Sequence, residues 1–391
     1  MTTPVRLPPV WLLVLCVALG PLTMTIVVPA NTQIMREFAT EYGVAQLMLT
    51  VYLLAMGVSQ LFLGFLSDKF GRRPVMIAGL AIFTVGCLLA AFAPTLETLL
   101  LSRVVQGMGS ATGQALSRAT VRDVYSREKS ASVLGYISMA MVIAPMAGPT
   151  IGGLLTEHAT WRYIFVFLGC VTAMSLVLVY RYMHETAQKS TAEKPKFIPS
   201  AMKLLSQRAF LGYSINLTFA TGMFYSFQSG APFIVMEVMQ RPPSEYGMYF
   251  ALTAIGYFLG NFVSGKFSER VGSDRMIFLA VIPVIIGLTL FWIFAETHHP
   301  LALFFPMMCL TFSNGLTIPN AMSGALSVRP ELAGTAAGLN GFIQVGVGAL
   351  LTFIVGFAQN GFFWPLLVVL TLCGVLSTLG SFIGGRSPND T

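Results

Sequence analysis

The chain has 391 residues, 55% of them hydrophobic and only 10% charged, with a formal net charge of +7. Soluble domains carry about 25% charged residues, so this composition excludes a water-soluble globule and leaves little mass for an aqueous catalytic domain. A bilayer-crossing helix needs about 20 mainly apolar residues, and runs of that kind fill nearly the whole sequence.

The first run covers roughly 10–30. Only Arg6 precedes it, and no small-residue cleavage site follows, so it is expected to remain as a span rather than be removed as a signal peptide. Spans follow at roughly 46–66, 75–93, 98–120, 132–155 and 162–182. The stretch from Tyr182 to Gln207 then holds Lys189, Lys194, Lys196 and Lys203 with Pro195 and Pro199, and reads as a linker. Six more spans follow at roughly 208–233, 246–264, 276–295, 301–322, 333–357 and 362–384. The expected organisation is an all-α membrane protein of twelve helices: a six-helix bundle over 1–183, a cytoplasmic linker over 184–207, and a second bundle over 208–391.

One loop recurs. Gly64-Phe65-Leu66-Ser67-Asp68-Lys69-Phe70-Gly71-Arg72-Arg73-Pro74 joins the second and third spans, and Gly265-Lys266-Phe267-Ser268-Glu269-Arg270-Val271-Gly272-Ser273-Asp274-Arg275 joins the eighth and ninth. The glycines match 201 positions apart (265 minus 64). A repeat of that length between apolar runs suggests two related halves, as in transporters.

Placement of Lys and Arg predicts orientation. With both termini in the cytoplasm, the loops on that side hold 19 of the 23 basic residues and the other side only Arg36, Arg162 and Arg241. The positive charge is thus divided among short loops beside the membrane, which excludes a nucleic-acid surface. Cys16, Cys87, Cys170, Cys309 and Cys373 lie far apart within apolar runs. They read as small core residues, and no metal or cofactor is expected.

Ionisable groups in hydrocarbon are costly and usually functional. Only Arg103 sits well inside a span. Arg103, Gly107, Ser110, Gln114 and Arg118 are spaced by 4, 3, 4 and 4, which places them on one helical face. That face is expected to meet the bundle interior or a water-filled cavity. The fifth span carries Gly135, Pro145, Gly148, Pro149, Gly152 and Gly153. Proline removes a backbone donor and glycine lets helices approach closely. This suits a seam between moving parts, or tight static packing. Further candidates for a largely apolar cavity are Tyr52, Gln60, Asn216, Tyr225, Gln228, Tyr257, Asn261, Asn314, Asn320, Asn340 and Gln344, with Met139, Met141 and Met146 as an adaptable patch.

At these residues the chain resembles the major facilitator superfamily, and more narrowly its twelve-span drug:proton antiporters of the bicyclomycin-resistance-like branch. Gly64 to Pro74 is similar to that superfamily's loop signature, Leu99 to Ala111 with Arg103, Gln106 and Gly107 to its fourth-span motif, and Gly135 to Gly153 to its fifth-span antiporter motif. Arg122-Asp123 and Ser229-Gly230-Ala231-Pro232-Phe233 resemble the narrower branch. The resemblance implies two bundles rocking about a central site. It implies a conformational latch at Gly64, Asp68, Gly71, Arg72 and Arg73, proton coupling through Arg103 with Asp123, and a sealing seam at Gly148 and Pro149. Many relatives carry an acid where this chain has Thr25.

The expectation is a proton-coupled exporter of small amphipathic molecules, acting as a monomer in the bacterial inner membrane. Its substrates would be neutral, zwitterionic or anionic, because a cavity lacking an acid leaves a lipophilic cation desolvated and unpaired. Two alternatives are an exporter of an organic anion gripped by Arg103 or Arg118, and a transport-inactive membrane sensor. An enzyme is not expected, since no nucleophile–base pair or metal cluster is visible.

Overall fold

The structure, a computed structural model, describes residues 8–124, 127–186, 197–359 and 362–384. It is helical, with no strand among those residues. Hydrocarbon offers no partner to a backbone N–H or C=O, so apolar segments satisfy both within the helix.

The chain divides into two compact units, Met1–Ala192 and Glu193–Thr391. In the first, the opening span is α1 (Val10–Ile26), a 3-10 turn at Val28–Ala30 and α2 (Asn31–Glu37). Then come α3 (Tyr42–Phe70), α4 (Arg72–Ala91), α5 (Leu96–Val124), α6 (Arg127–His158) and α7 (Arg162–Tyr182). The second unit opens with the short α8 (Phe197–Leu205), inside the segment expected as linker. It continues with α9 (Arg208–Phe233) and α10 (Pro243–Val271). The ninth span is split into α11 (Ser273–Leu279) and α12 (Val281–Ile293), and α13 (Leu301–Ser327), α14 (Ala333–Ala358) and α15 (Trp364–Gly384) complete the unit. Every predicted span falls on a helix or a broken helix. Eight of these segments are long and apolar enough to cross a membrane by length and composition alone.

Several helices outrun the apolar windows that predicted them. The expected 46–66 is helical over Tyr42–Phe70, and 246–264 over Pro243–Val271. Charged residues end a hydrocarbon window but not a helix. The helices stop where the backbone turns left-handed, at Gly71 (φ 101°) and Gly272 (φ 91°), a region open to glycine at little cost. The repeat extends to the opposite end of each unit. The two non-glycine residues with positive φ among those described, Ala39 (47°) and Gln240 (54°), also lie 201 positions apart (240 minus 39).

Within the first unit α5 packs against α1, α3 and α4, α6 against α1, and α7 against α4. In the second, α9 packs against α13, α14 and α15, and α10 against α13. The outer helices leave large apolar side chains bare, among them Leu88, Val177, Ile285 and Leu372. Exposed apolar surface on this scale is matched to acyl chains rather than to water. The break at Ala280 follows from local chemistry. Pro283 has no N–H for the carbonyl four residues earlier, and the Ala280 carbonyl accepts the Ser313 hydroxyl at 2.8 Å.

Candidate functional site

The charged loop folds into a network joining three helices. α3 ends at Gly71, whose N–H bonds the Ser67 carbonyl at 3.1 Å, and α4 starts at the next residue. The Arg72 guanidinium therefore projects beside Asp68 one turn earlier, with Nη1 to Oδ1 at 2.9 Å. Its Nε reaches Asp123 Oδ2 on α5, also at 2.9 Å, and Nη1 also donates to the Ser67 hydroxyl. Arg72 is thus shared between two carboxylates, the geometry that suits its planar fork. Arg73 points to α7, donating to the Tyr180 carbonyl at 2.8 Å and lying over the Tyr180 ring at 5.3 Å.

Glu185 was not a sequence candidate. Its carboxylate accepts the N–H groups of Arg72 at 2.8 Å and Arg73 at 3.2 Å, supplying the first turn of α4 with an anion. A Cβ on Gly71 would collide with this carboxylate, so Gly71 is required twice over, for its φ and for the approach of Glu185. Nothing beside Glu185 in the sequence signals this role. Gly64 is exposed, with open space where a Cβ would be.

The matching loop of the second unit has the same backbone and different chemistry. Ser273 stands where Arg72 would be, and Glu269 makes no ion pair among the described residues. A neutral contact, Asn320 Nδ2 to Ser264 Oγ at 2.8 Å, joins α13 to α10 instead. Asp274 accepts the Tyr213 hydroxyl at 2.7 Å.

Arg103 is 1% exposed. Its Nε donates to the Met48 carbonyl at 3.2 Å, Nη1 donates to Gln106 Oε1, and the guanidinium lies 4.3 Å from the Tyr52 ring centroid. Gln106 in turn donates to the Gly86 carbonyl at 3.0 Å, and the Tyr52 hydroxyl donates to the Gly20 carbonyl at 3.0 Å. Four helices, α1, α3, α4 and α5, are thereby tied to one buried cation. No carboxylate pairs with it among the described residues; carbonyl dipoles and an aromatic face compensate the charge. Asp123, grouped with Arg103 from the sequence, lies 20 residues further along α5, about 30 Å at 1.5 Å per residue. The structure does not bring the two together, and Asp123 belongs to the Arg72 network.

The rest of the α5 stripe divides among neighbours. Gly107 faces α3 and Gln114 faces Gly20 of α1. Ser110 bonds back to the Gly107 carbonyl at 3.0 Å. Arg118 is exposed and donates to Met141 Sδ on α6 at 3.0 Å.

Thr25 turns its hydroxyl onto its own helix, to the Pro21 and Leu22 carbonyls at 3.2 and 3.3 Å. A Cβ on Gly148 would collide with the Thr25 side chain, and one on Gly152 with the Ile26 backbone. These glycines seat α6 against α1 of the same unit. Pro149 and Gly153 are buried there and Pro145 is half-buried. Gly135 and Met139 lie on α6 at positions outside the described side chains. Gly152→Ala is expected to lower stability by about 1–3 kcal/mol, because the clash is with backbone that cannot rotate away. A melting curve in detergent unchanged from wild type would refute that packing.

In the second unit the candidates separate. Asn216 is turned to α15, where its Nδ2 bonds the Ser377 carbonyl at 2.8 Å. Tyr225 covers Gly348 of α14, and Gln344 accepts the Thr221 hydroxyl at 3.1 Å. Asn261 bonds its own helix through the Tyr257 carbonyl at 2.8 Å, and both side chains are half-buried. Gln228, Asn314 and Asn340 are all buried. The Asn314 Oδ1 and both amide atoms of Asn340 have no hydrogen-bond partner among the described residues, so these two side chains have capacity for a hydrogen-bonding group.

Residues 13–352 match the family described as Major Facilitator Superfamily. The chain is 30% identical over 371 residues to multidrug resistance protein D of Escherichia coli strain K12, covering 94% of this chain and 93% of that one. It is 25% identical over 376 residues to the bicyclomycin resistance protein homolog of Haemophilus influenzae, covering 93% and 92%. Among solved structures, a bacterial homolog of the human lysosomal transporter Spinster superposes with a TM-score of 0.76 over 97% of this chain and 98% of that one, at 17% identity.

Proposed function

Because this chain belongs to the Major Facilitator Superfamily and is a membrane transporter, we propose that it expels small amphipathic molecules from a bacterial cell in exchange for protons, by alternating access. The observation that carries this reading is the alignment, over nine-tenths of the chain, with relatives named for multidrug and bicyclomycin resistance. The excess of Lys and Arg on one side supports a cytoplasmic-membrane protein with both termini inside. It would act as a monomer.

The site chemistry narrows the substrate class. Thr25 offers no carboxylate, and Arg103 has no acid beside it among the described residues. A permanent lipophilic cation would find no buried carboxylate among the described residues to offset its desolvation, which favours neutral, zwitterionic or anionic molecules. Arg103 is 1% exposed, with two donors on Met48 and Gln106 and its face over Tyr52, so its role is to hold the helices and to tune proton coupling rather than to grip an anion.

The test is uptake of chloramphenicol and of tetraphenylphosphonium into everted vesicles. The expected outcome is uptake of the neutral compound that stops when the pH gradient is collapsed, and little uptake of the cation. Indifference to the gradient would remove the proton from the reading. Preference for the cation would remove the charge argument.

A further inference from the structure

α8 is apolar on two faces. Ala201 and Leu204 pack into a core with Phe210 of α9, with Leu332 just before α14, and with Ala336 and Leu339 in its first turns. The other face carries Ile198, Met202 and Leu205, which are 71%, 68% and 39% exposed. Spaced by four and three residues, they form one stripe along the helix. An apolar stripe left in water is unfavourable by its buried-area equivalent.

The position of α8 and its charges identify what covers that stripe. Only Ser206 and Gln207 separate α8 from α9, the helix over the seventh span expected from the sequence. α8 therefore lies where the chain enters the bilayer. Lys203 and Arg208 are both exposed, and no Asp or Glu occurs from Phe197 to Met236. A short helix with an apolar stripe, flanking cations and no anions matches the boundary between acyl chains and negatively charged headgroups.

We propose that α8 lies in the membrane surface, with Ile198, Met202 and Leu205 among the acyl chains and Lys203 and Arg208 on anionic lipid headgroups. Each such charge shifts association with an anionic surface roughly fivefold. α8 then anchors the entry of the second unit to the leaflet at its basic end. This is independent of what is transported.

The test places a nitroxide at residue 202, through Met202→Cys in a chain with its five native cysteines replaced. The protein is reconstituted in vesicles of equal parts phosphatidylcholine and phosphatidylglycerol. The expected result is a label reached by oxygen and shielded from an aqueous nickel chelate. Nickel access should rise several-fold when phosphatidylglycerol is omitted, or when Lys203→Gln and Arg208→Gln are combined. Free access to nickel in the mixed vesicles would overturn the proposal. So would shielding from both reagents, which would mean that protein covers the stripe. Insertion indifferent to phosphatidylglycerol and to the two lysine and arginine substitutions would overturn the headgroup contact. Should the cysteine-free chain fail to fold, a photoreactive amino acid at 202 in the native chain reads the same contact. Crosslinks to lipid support the proposal, and crosslinks to protein refute it.

Discussion

Asp68→Asn is expected to lower transport roughly 10- to 100-fold, the range set by losing a charge-assisted hydrogen bond of about 1.5–3 kcal/mol, while Glu269→Gln leaves most of it. The two acids occupy the same position of the repeated loop. Asp68 shares Arg72 with Asp123, each at 2.9 Å, across α3, α4 and α5. Removing its charge leaves a partly buried guanidinium with one carboxylate where the fold supplies two. Glu269 has no such partner among the described residues, because Ser273 replaces the arginine. The loss should fall on the conformational equilibrium rather than on folding, so expression and melting temperature should change little. Initial rates in everted vesicles, normalised to protein, check this. Equal losses in the two variants would show that the loops do the same work. Arg72→Lys should resemble Asp68→Asn, since a single ammonium cannot reproduce the fixed spread of Nε and Nη1 that reaches Asp123 and Asp68 at once.

Arg103→Ala is expected to lower stability by about 3–5 kcal/mol and to abolish transport, as for removal of a large, fully buried, multiply bonded side chain. Its guanidinium links α5 to the Met48 carbonyl of α3, and through Gln106 to α4. Arg103→Lys separates charge from geometry. Lysine keeps the cation but lacks the second arm to Gln106 and the planar face that lies over Tyr52. Its melting temperature should fall less than that of the alanine variant. Gradient-driven transport should drop roughly tenfold, while substrate equilibration without a gradient persists, a difference of about 1.4 kcal/mol in coupling. Full gradient-driven activity in Arg103→Lys would exclude a role for the guanidinium in coupling.

Much of the molecule was legible in the sequence. Twelve apolar runs, the loop repeated at Gly64 and Gly265, and the glycines of the fifth span pointed to the spans, the family and the branch of relatives. The unusual status of Arg103 was visible from its depth in an apolar run. Hydropathy undercounted the ends of α3 and α10, because it measures the hydrocarbon window rather than the helix. It also passed over α8, hidden among lysines and prolines.

Local composition is enough to settle whatever depends on sums over neighbouring residues: which stretches enter lipid, which loops are basic, and where glycine must end a helix. The partners of the polar side chains were decided by tertiary structure alone. Asp123 went to Arg72 rather than to Arg103, Asn216 turned to α15, Glu185 capped α4, and Thr25 closed on its own backbone against Gly148. The reason is geometric. Burial in lipid follows from local composition, but a hydrogen-bond partner depends on each helix's rotation and on which helix lies beside it. Many of the acceptors, such as the carbonyls of Gly20, Met48 and Gly86, belong to the backbone and carry no residue signature at all.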